Sequence, residues 1–473
     1  MFRLGVLVKQ LIVRILWRLF IRVNVVLIVL FQISVAYAQN SQFIRDAEIE
    51  TIIRDFVNPL LDAAKINRNS ISVYIINEGG INAFVTDGNK LFLNSGLIMA
   101  MQSPLQLIGV IAHEIGHIAS GHLAQTSNTI DSFAKASMLS AIAGITVGFL
   151  SGRTDTGAAI AMGGQSAVIR SFMQYSQEQE SIADQAGMRF LDASKQSVKG
   201  LQSFFEHMIS QEMPNLTRQS SYLSTHPFTR DRLNSIKAHV SISSYSNVQA
   251  TPKQIINFNR LLAKLHAFIS LPSQTFCKYP ETDSSLPAKL ARAIAYRNKL
   301  DYKRSLELTM ELIKEYPEDP YLYELEGKVF FESGNTKAAL ASMLKAHKLA
   351  PNISLIEVFL SQIFLSINDY NSNKQAMLHL QNAKPSEGDS PFFWHYLAIA
   401  EGRLGNIGEA VLALAEESVC EGNWEMAANQ SKRAQKTLKP ATPMMLRAID
   451  IELLAKSKAF TKRRNHSYVS SLE

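Results

Sequence analysis

The hydrophobic pattern changes period several times along the chain, and each change marks an element. Ile49, Ile52, Ile53, Phe56 and Leu60 recur at helical spacing, so residues 41–67 read as a helix. The period then falls to two. Residues 71–77, 81–86 and 90–94 read as short strands, separated by the turn Glu78-Gly79-Gly80 and the hairpin turn Asp87-Gly88. Helical spacing returns after Ser103, an N-cap residue followed by the first-turn proline Pro104. Residues 174–191 and 252–269 read as further helices.

Two stretches depart from ordinary amphipathic patterning. Between Lys135 and Arg170 the only charged residues are Arg153 and Asp155, and small residues abound. The segment is too short to span a bilayer. It reads either as a close-packed helical hairpin or as a flap facing a membrane or covering substrate. Beyond Pro287 the chain repeats itself. Pro317, Pro351 and Pro385 fall 34 residues apart, and the turns at Asp301, Gly334-Asn335 and Asn368-Asp369 keep the same step. Ala293, Gly327 and Ser361 occupy equivalent helix positions, and Gly405-Asn406 and Ala398 follow three residues late. This helix–turn–helix period is that of tetratricopeptide repeats, which stack to bury each other's apolar faces and leave a protein-binding surface.

The net charge of +7 is misleading. Arg3, Lys9, Arg14, Arg18 and Arg22 precede an apolar run at 25–35, and no acid occurs before Asp46. Ala36-Tyr37-Ala38 then forms a small-x-small cleavage site, so residues 1–38 read as a signal peptide cut after Ala38. Without them, 43 basic residues stand against 41 acidic ones, which removes the charge basis for a nucleic-acid partner. Cys277 and Cys420 remain; their spacing leaves a disulfide open.

The candidate chemistry lies in His113-Glu114-Ile115-Gly116-His117. On a helix, residues four apart share a face, so His113 and His117 can direct two imidazoles at one metal ion. Glu114 is placed to deprotonate water held by that metal. A two-histidine site needs a carboxylate as third ligand, and the helix over 174–191 offers Glu180 and, one turn on, Asp184. Glu180 reads as the ligand and Asp184 as the group that orients a ligating imidazole from behind. Ser224-Thr225-His226-Pro227 forms a third cluster. A residue before proline takes extended backbone, so His226 sits on a loop free to approach a site.

These motifs, taken in order, resemble those of the HtpX-like zinc metallopeptidase family, which includes the CAAX prenyl proteases, and within it the periplasmic BepA type. The resemblance rests on Ile81-Asn82-Ala83-Phe84, Asn94-Ser95-Gly96-Leu97, Ala112-His113-Glu114-Ile115-Gly116-His117, Glu180-x-x-Ala183-Asp184, and Ser224-Thr225-His226-Pro227 with Arg232 six residues after the histidine. It implies one Zn2+ held by His113, His117 and Glu180, with Glu114 as general base. It also implies that His226 lies near the metal as a removable fourth ligand that keeps the enzyme latent. His226, once displaced, and Arg232 are the candidates for stabilising the oxyanion. The edge of strand 81–86 is a candidate for pairing with an extended substrate. His122 lies off the ligand face and reads as structural. Gln177 and Ile182 depart from the family pattern and put contacts around the ligands or substrate preference in doubt.

The expected fold is α+β and mostly helical. A zincin-like metallopeptidase domain with a small β-sheet (39–270) follows the signal peptide (1–38). An all-α tetratricopeptide-repeat solenoid (271–460) and a disordered tail (461–473) complete the chain. The expected function is that of an exported zinc-dependent endopeptidase acting in the periplasm, in association with the outer membrane. Its substrates by resemblance are misfolded or unassembled outer-membrane proteins. The repeats would engage the outer-membrane β-barrel assembly machinery, with peripheral membrane contact and no nucleic acid. The alternative is a chaperone or adaptor for the same assembly that cleaves little.

Overall fold

The structure, a computed structural model, describes residues 43–86, 88–122, 175–212, 222, 226–227 and 229–469. The expected signal peptide and the small-residue stretch 136–169 lie outside the described residues. Among the described residues no helix is long and apolar enough to cross a membrane.

The chain packs as two compact units, one of residues through Arg45 with Ile53–Phe258, the other of Asp46–Ile52 with Asn259–Glu473. The division therefore falls before the expected boundary at 270. The reason is in the side chains. Ala263 and Ala267, on the helix Pro252–Ile269, bury among Leu290, Ala291 and Ile294 of the first repeat. Lys264, also on that helix, bonds Asp46 at 2.7 Å and Glu48 at 3.1 Å.

In the first unit a four-stranded sheet has the order β1-β2-β4-β3, with β1 Phe43–Ile44, β2 Ser72–Ile76, β3 Ala83–Thr86 and β4 Lys90–Asn94. β1 pairs antiparallel with β2, β2 parallel with β4, and β3 antiparallel with β4. The hairpin β3–β4 forms as its Asp-Gly signal indicates. β1 was not expected: its two residues are too few to show a period, and α1 (Ala47–Ala64) starts later than the helical pattern suggests. Alternation gives the sheet two faces. Ala83, Leu91 and Leu93 point into the core, while Phe84 and Phe92 point away from it.

α2 (Ser95–Ala100) leads into α3 (Pro104–Ala119), whose N-cap Ser103 accepts from the backbone N–H of Gln106. Leu107, Ile108, Val110, Ile111 and Ile115 of α3 are fully buried, each contributing about 1.5–3 kcal/mol of apolar burial. α4, residues 175–193, packs on α3 at two glycines. A Cβ at Gly116 would meet the Ala183 carbonyl oxygen at 2.4 Å, and one at Gly187 would meet the Ala112 carbonyl at 3.0 Å. The two helices thus touch backbone to backbone. α5 (Lys199–Glu212) and α6 (Arg230–Ile242) complete the described helices around them.

In the second unit, helix pairs begin at Leu286, Pro320 and Ser354, a step of 34 residues. The next begins at Pro391, three residues late, because the helix Tyr370–Glu387 runs on through Pro385. Cys277 and Cys420 are free thiols. The expected structureless tail from 461 differs: the last helix, Pro443–Val469, continues into it, as no proline or glycine follows Pro443 in that stretch.

Candidate metal centre

Helical geometry sets His113 and His117 one turn apart on α3, with their Nε2 atoms 3.1 Å from each other. The close approach of α4 at Gly116 and Gly187 brings Glu180 to the same point. Its Oε2 lies 3.4 Å from His113 Nε2 and its Oε1 3.3 Å from His117 Nε2. His226 Nδ1 stands 3.3 Å from His113 Nε2 and 3.2 Å from both Glu180 oxygens. All four residues are buried, and their donor atoms form the one such cluster found among the described residues.

These separations test whether a metal fits. Four ligands about 2.0–2.1 Å from a tetrahedral ion stand roughly 3.4 Å from one another. The observed spacings of 3.1–3.4 Å match that figure. The electrostatics agree. Burial pushes the His113 imidazole down, but hydrogen bonds and charge from Asp184 and Glu180 outweigh it and raise it to about 10. Burial likewise pushes the Glu180 carboxyl up, yet the three histidines hold it well below the usual range. The site demands a positive charge beside Glu180.

Each α3 histidine is oriented through its other ring nitrogen. His113 Nδ1 meets Asp184 Oδ1 at 2.8 Å, which turns Nε2 toward the cluster. His117 Nδ1 meets His122 Nδ1 at 2.9 Å. Burial and the neighbouring His117 push His122 down to about 4, so it is neutral and accepts the His117 proton. His122, expected to be only structural, thus fixes the tautomer of a ligand candidate. His226 donates from Nε2 to the Ala83 carbonyl at 3.2 Å, turning its Nδ1 lone pair to the cluster.

Arg232 is placed differently from expectation. Its Nε and Nη2 donate to Asp184 at 2.6 and 2.9 Å, its Nη1 donates to the Pro227 carbonyl at 2.9 Å, and Nη1 also forms an ion pair with Glu180 Oε2 at 2.9 Å. Its guanidinium also lies 5.0 Å from the Phe205 ring centre. With its Nε–Nη2 fork on Asp184 and its charge beside Glu180, it holds both carboxylates in place. Gln177 and Ile182 are exposed and touch none of this.

Glu114 is fully buried, and among the described residues neither of its oxygens has a hydrogen-bond partner. His226 Nε2 lies 3.5 Å from its Oε1. An unsatisfied buried acceptor costs about 1–3 kcal/mol, and more when charged, so such a group signals function.

Sequence reasoning missed Tyr222. Its ring stacks on His226 at 4.6 Å, and its backbone N–H donates to the Ile81 carbonyl at 2.9 Å. No local pattern announces it, because its partners lie far off in sequence.

Residues 44–240 match the model of peptidase family M48. The chain is 22% identical over 396 residues to the putative beta-barrel assembly-enhancing protease of Vibrio cholerae serotype O1, covering 82% of this chain and 80% of that one. It is 21% identical over 397 residues to the beta-barrel assembly-enhancing protease of Escherichia coli strain K12, covering 82% and 80%. Metalloprotease LoiP of the same strain is 30% identical over 176 residues, 37% of this chain and 65% of its own length.

Proposed function

We propose that this chain, whose residues 44–240 match the model of peptidase family M48, is a zinc-dependent endopeptidase that acts on misfolded or stalled outer-membrane proteins. The observation that carries this reading is the pairing of a tetrahedral donor set with the unpartnered carboxylate of Glu114 beside it.

His113 Nε2, His117 Nε2 and Glu180 would hold the zinc, with His226 Nδ1 as a removable fourth donor. A zinc ion so held supplies Lewis-acid chemistry, polarising a scissile carbonyl and acidifying water at neutral pH. Glu114 takes the proton of the attacking water and passes it to the leaving amine. Asp184 and His122 keep the two imidazoles in the ligating tautomer, and Arg232 anchors Glu180 and Asp184. β3 is an edge strand; its Ala83 carbonyl accepts from His226, and the carbonyl of Ile81 just before it accepts from Tyr222. Tyr222 and His226 therefore occupy backbone acceptors that an extended substrate would use, and His226 also fills the fourth donor position. Their withdrawal opens both together, which makes His226 the latch of a latent enzyme. We place the protein in the periplasm, exported by residues 1–38. The repeats dock it on the β-barrel assembly machinery, as the names of its relatives suggest.

The placement of His226 among the donor atoms favours the second reading, a chaperone for barrel assembly with little proteolysis. Two variants assayed on a denatured barrel protein separate them. Glu114→Gln should keep full zinc content and lose hydrolysis by at least about 100-fold. His226→Ala should raise cleavage. Equal cleavage by Glu114→Gln and wild type would remove the catalytic assignment, and a lower rate in His226→Ala would remove the latch.

A further inference from the structure

Three aromatic rings cross the sheet in one line and stop at its outer strand, β3. Tyr74 on β2 stacks on Phe92 of β4, with ring centres 5.2 Å apart and planes 20° apart. Phe92 stacks in turn on Phe84 of β3 at 5.1 Å and 19°. The pairs Tyr74–Phe92 and Phe84–Phe92 are in direct register, so each ring is one strand step from the next. The row lies on the face away from the core, and Phe84 at its end is half-buried.

The backbone of β3 says how a further strand would meet this row. The Asn82 carbonyl accepts from the Asn94 N–H, so even-numbered residues of β3 turn their backbone toward β4. The odd-numbered Ile81, Ala83 and Val85 turn theirs to the open edge. The bonds from Tyr222 to Ile81 and from His226 to Ala83 fit that assignment. A chain added at this edge bonds to the odd residues, and the residue it sets opposite Phe84 falls in a non-hydrogen-bonded pair. Such pairs bring side chains closest, with Cα atoms about 4.5 Å apart. The incoming side chain lies on the face of the aromatic row and becomes its fourth member.

We propose that Phe84 is a specificity-determining residue, selecting an aromatic or β-branched side chain at one fixed position of the substrate. This rests on the proteolytic reading and on strand addition at β3. The position is close to the scissile bond. Ala83, the neighbour of Phe84, is bonded to the ring of His226, whose other nitrogen is 3.2 Å from Glu180. Cross-strand aromatic pairs of this kind correspond to about a two- to five-fold preference over alanine.

The test uses the full zinc-loaded chain, as wild type and as His226→Ala, on a library of unstructured dodecapeptides with each position randomised in turn. Cut sites are read by mass spectrometry. One position should favour Phe, Tyr, Trp, Val and Ile over Ala about two- to five-fold. Phe84→Ala should flatten that position alone, Phe84→Tyr should restore it, and preferences at other positions should persist in both. An unchanged profile in Phe84→Ala, or the absence of any such position in the parent enzymes, overturns the assignment of Phe84. Absence of cutting beyond that of Glu114→Gln overturns the proteolytic reading itself.

Discussion

At the scale of single residues, the centre is a set of carboxylates and imidazoles that fix one another. Arg232 decides between two roles. A donor to the oxyanion would affect turnover and leave metal affinity alone; an anchor for Glu180 and Asp184 would affect metal affinity first. The bonds favour the anchor. Arg232→Met should therefore weaken zinc binding about 10- to 100-fold in a competition titration with a chelating dye. Wild-type affinity with reduced turnover would return Arg232 to the oxyanion role. His113, Glu114 and His117 were legible in the sequence because helical period alone puts them on one turn. Glu180 and Asp184 were legible because the same period recurs beside them. Arg232 was found, but its bonds to Asp184 and its ion pair with Glu180 were not legible, since sequence order says nothing of which oxygens its donors meet. The orienting role of His122 needed the turn after α3, where Gly121 takes a φ of +67°.

At the scale of elements, the site depends on how closely α3 and α4 approach. Gly116 is the contact that sets it, with the Ala183 carbonyl where a Cβ would stand. Gly116→Ala must push α4 outward and carry Glu180 with it. The variant should lose about 1–3 kcal/mol in urea unfolding and bind zinc at least about 10-fold more weakly with both histidines intact. Unaltered affinity would mean that α4 adjusts without moving Glu180. The strands and the metal helix were readable from period, turn residues and the Ser103 cap. β1 was not, because two residues carry no period. Nor were the bonds of Tyr222 to Ile81 and of His226 to Ala83, which join residues more than a hundred positions apart.

At the scale of the whole molecule, the repeat period forecast the second unit well, and the boundary less well. What moved it is a buried charge network in that unit. Asp46 and Glu48 meet Lys264, Glu48 and Asp319 meet Arg260, and Lys328 lies 3.9 Å from Asp46. Burial pushes the Asp46 carboxyl up, but the charges of Lys264 and Lys328 outweigh it and hold it below the ordinary value of 3.8. A carboxyl depressed on folding adds stability that is fully present above its unfolded value, and loses it as pH falls through the folded one. Lys264 is raised, so its share is complete below the ordinary lysine range and fades only in strong alkali. Stability from this network should be level from about pH 5 to 9 and fall below about pH 4. Asp46→Asn should cost about 3 kcal/mol at pH 7 and flatten the acid limb, as read from urea midpoints across pH. An unchanged acid limb would show that Asp46 is not the group that titrates.

The claim on which everything else stands is that one zinc ion sits among His113, His117, Glu180 and His226. A crystal structure of the full chain with anomalous data on both sides of the zinc edge tests it most directly. One strong peak is expected, in contact with Nε2 of His113 and His117, an oxygen of Glu180 and Nδ1 of His226. A zinc-saturated chain with no peak at that point, or with its zinc held by other residues, would contradict the account.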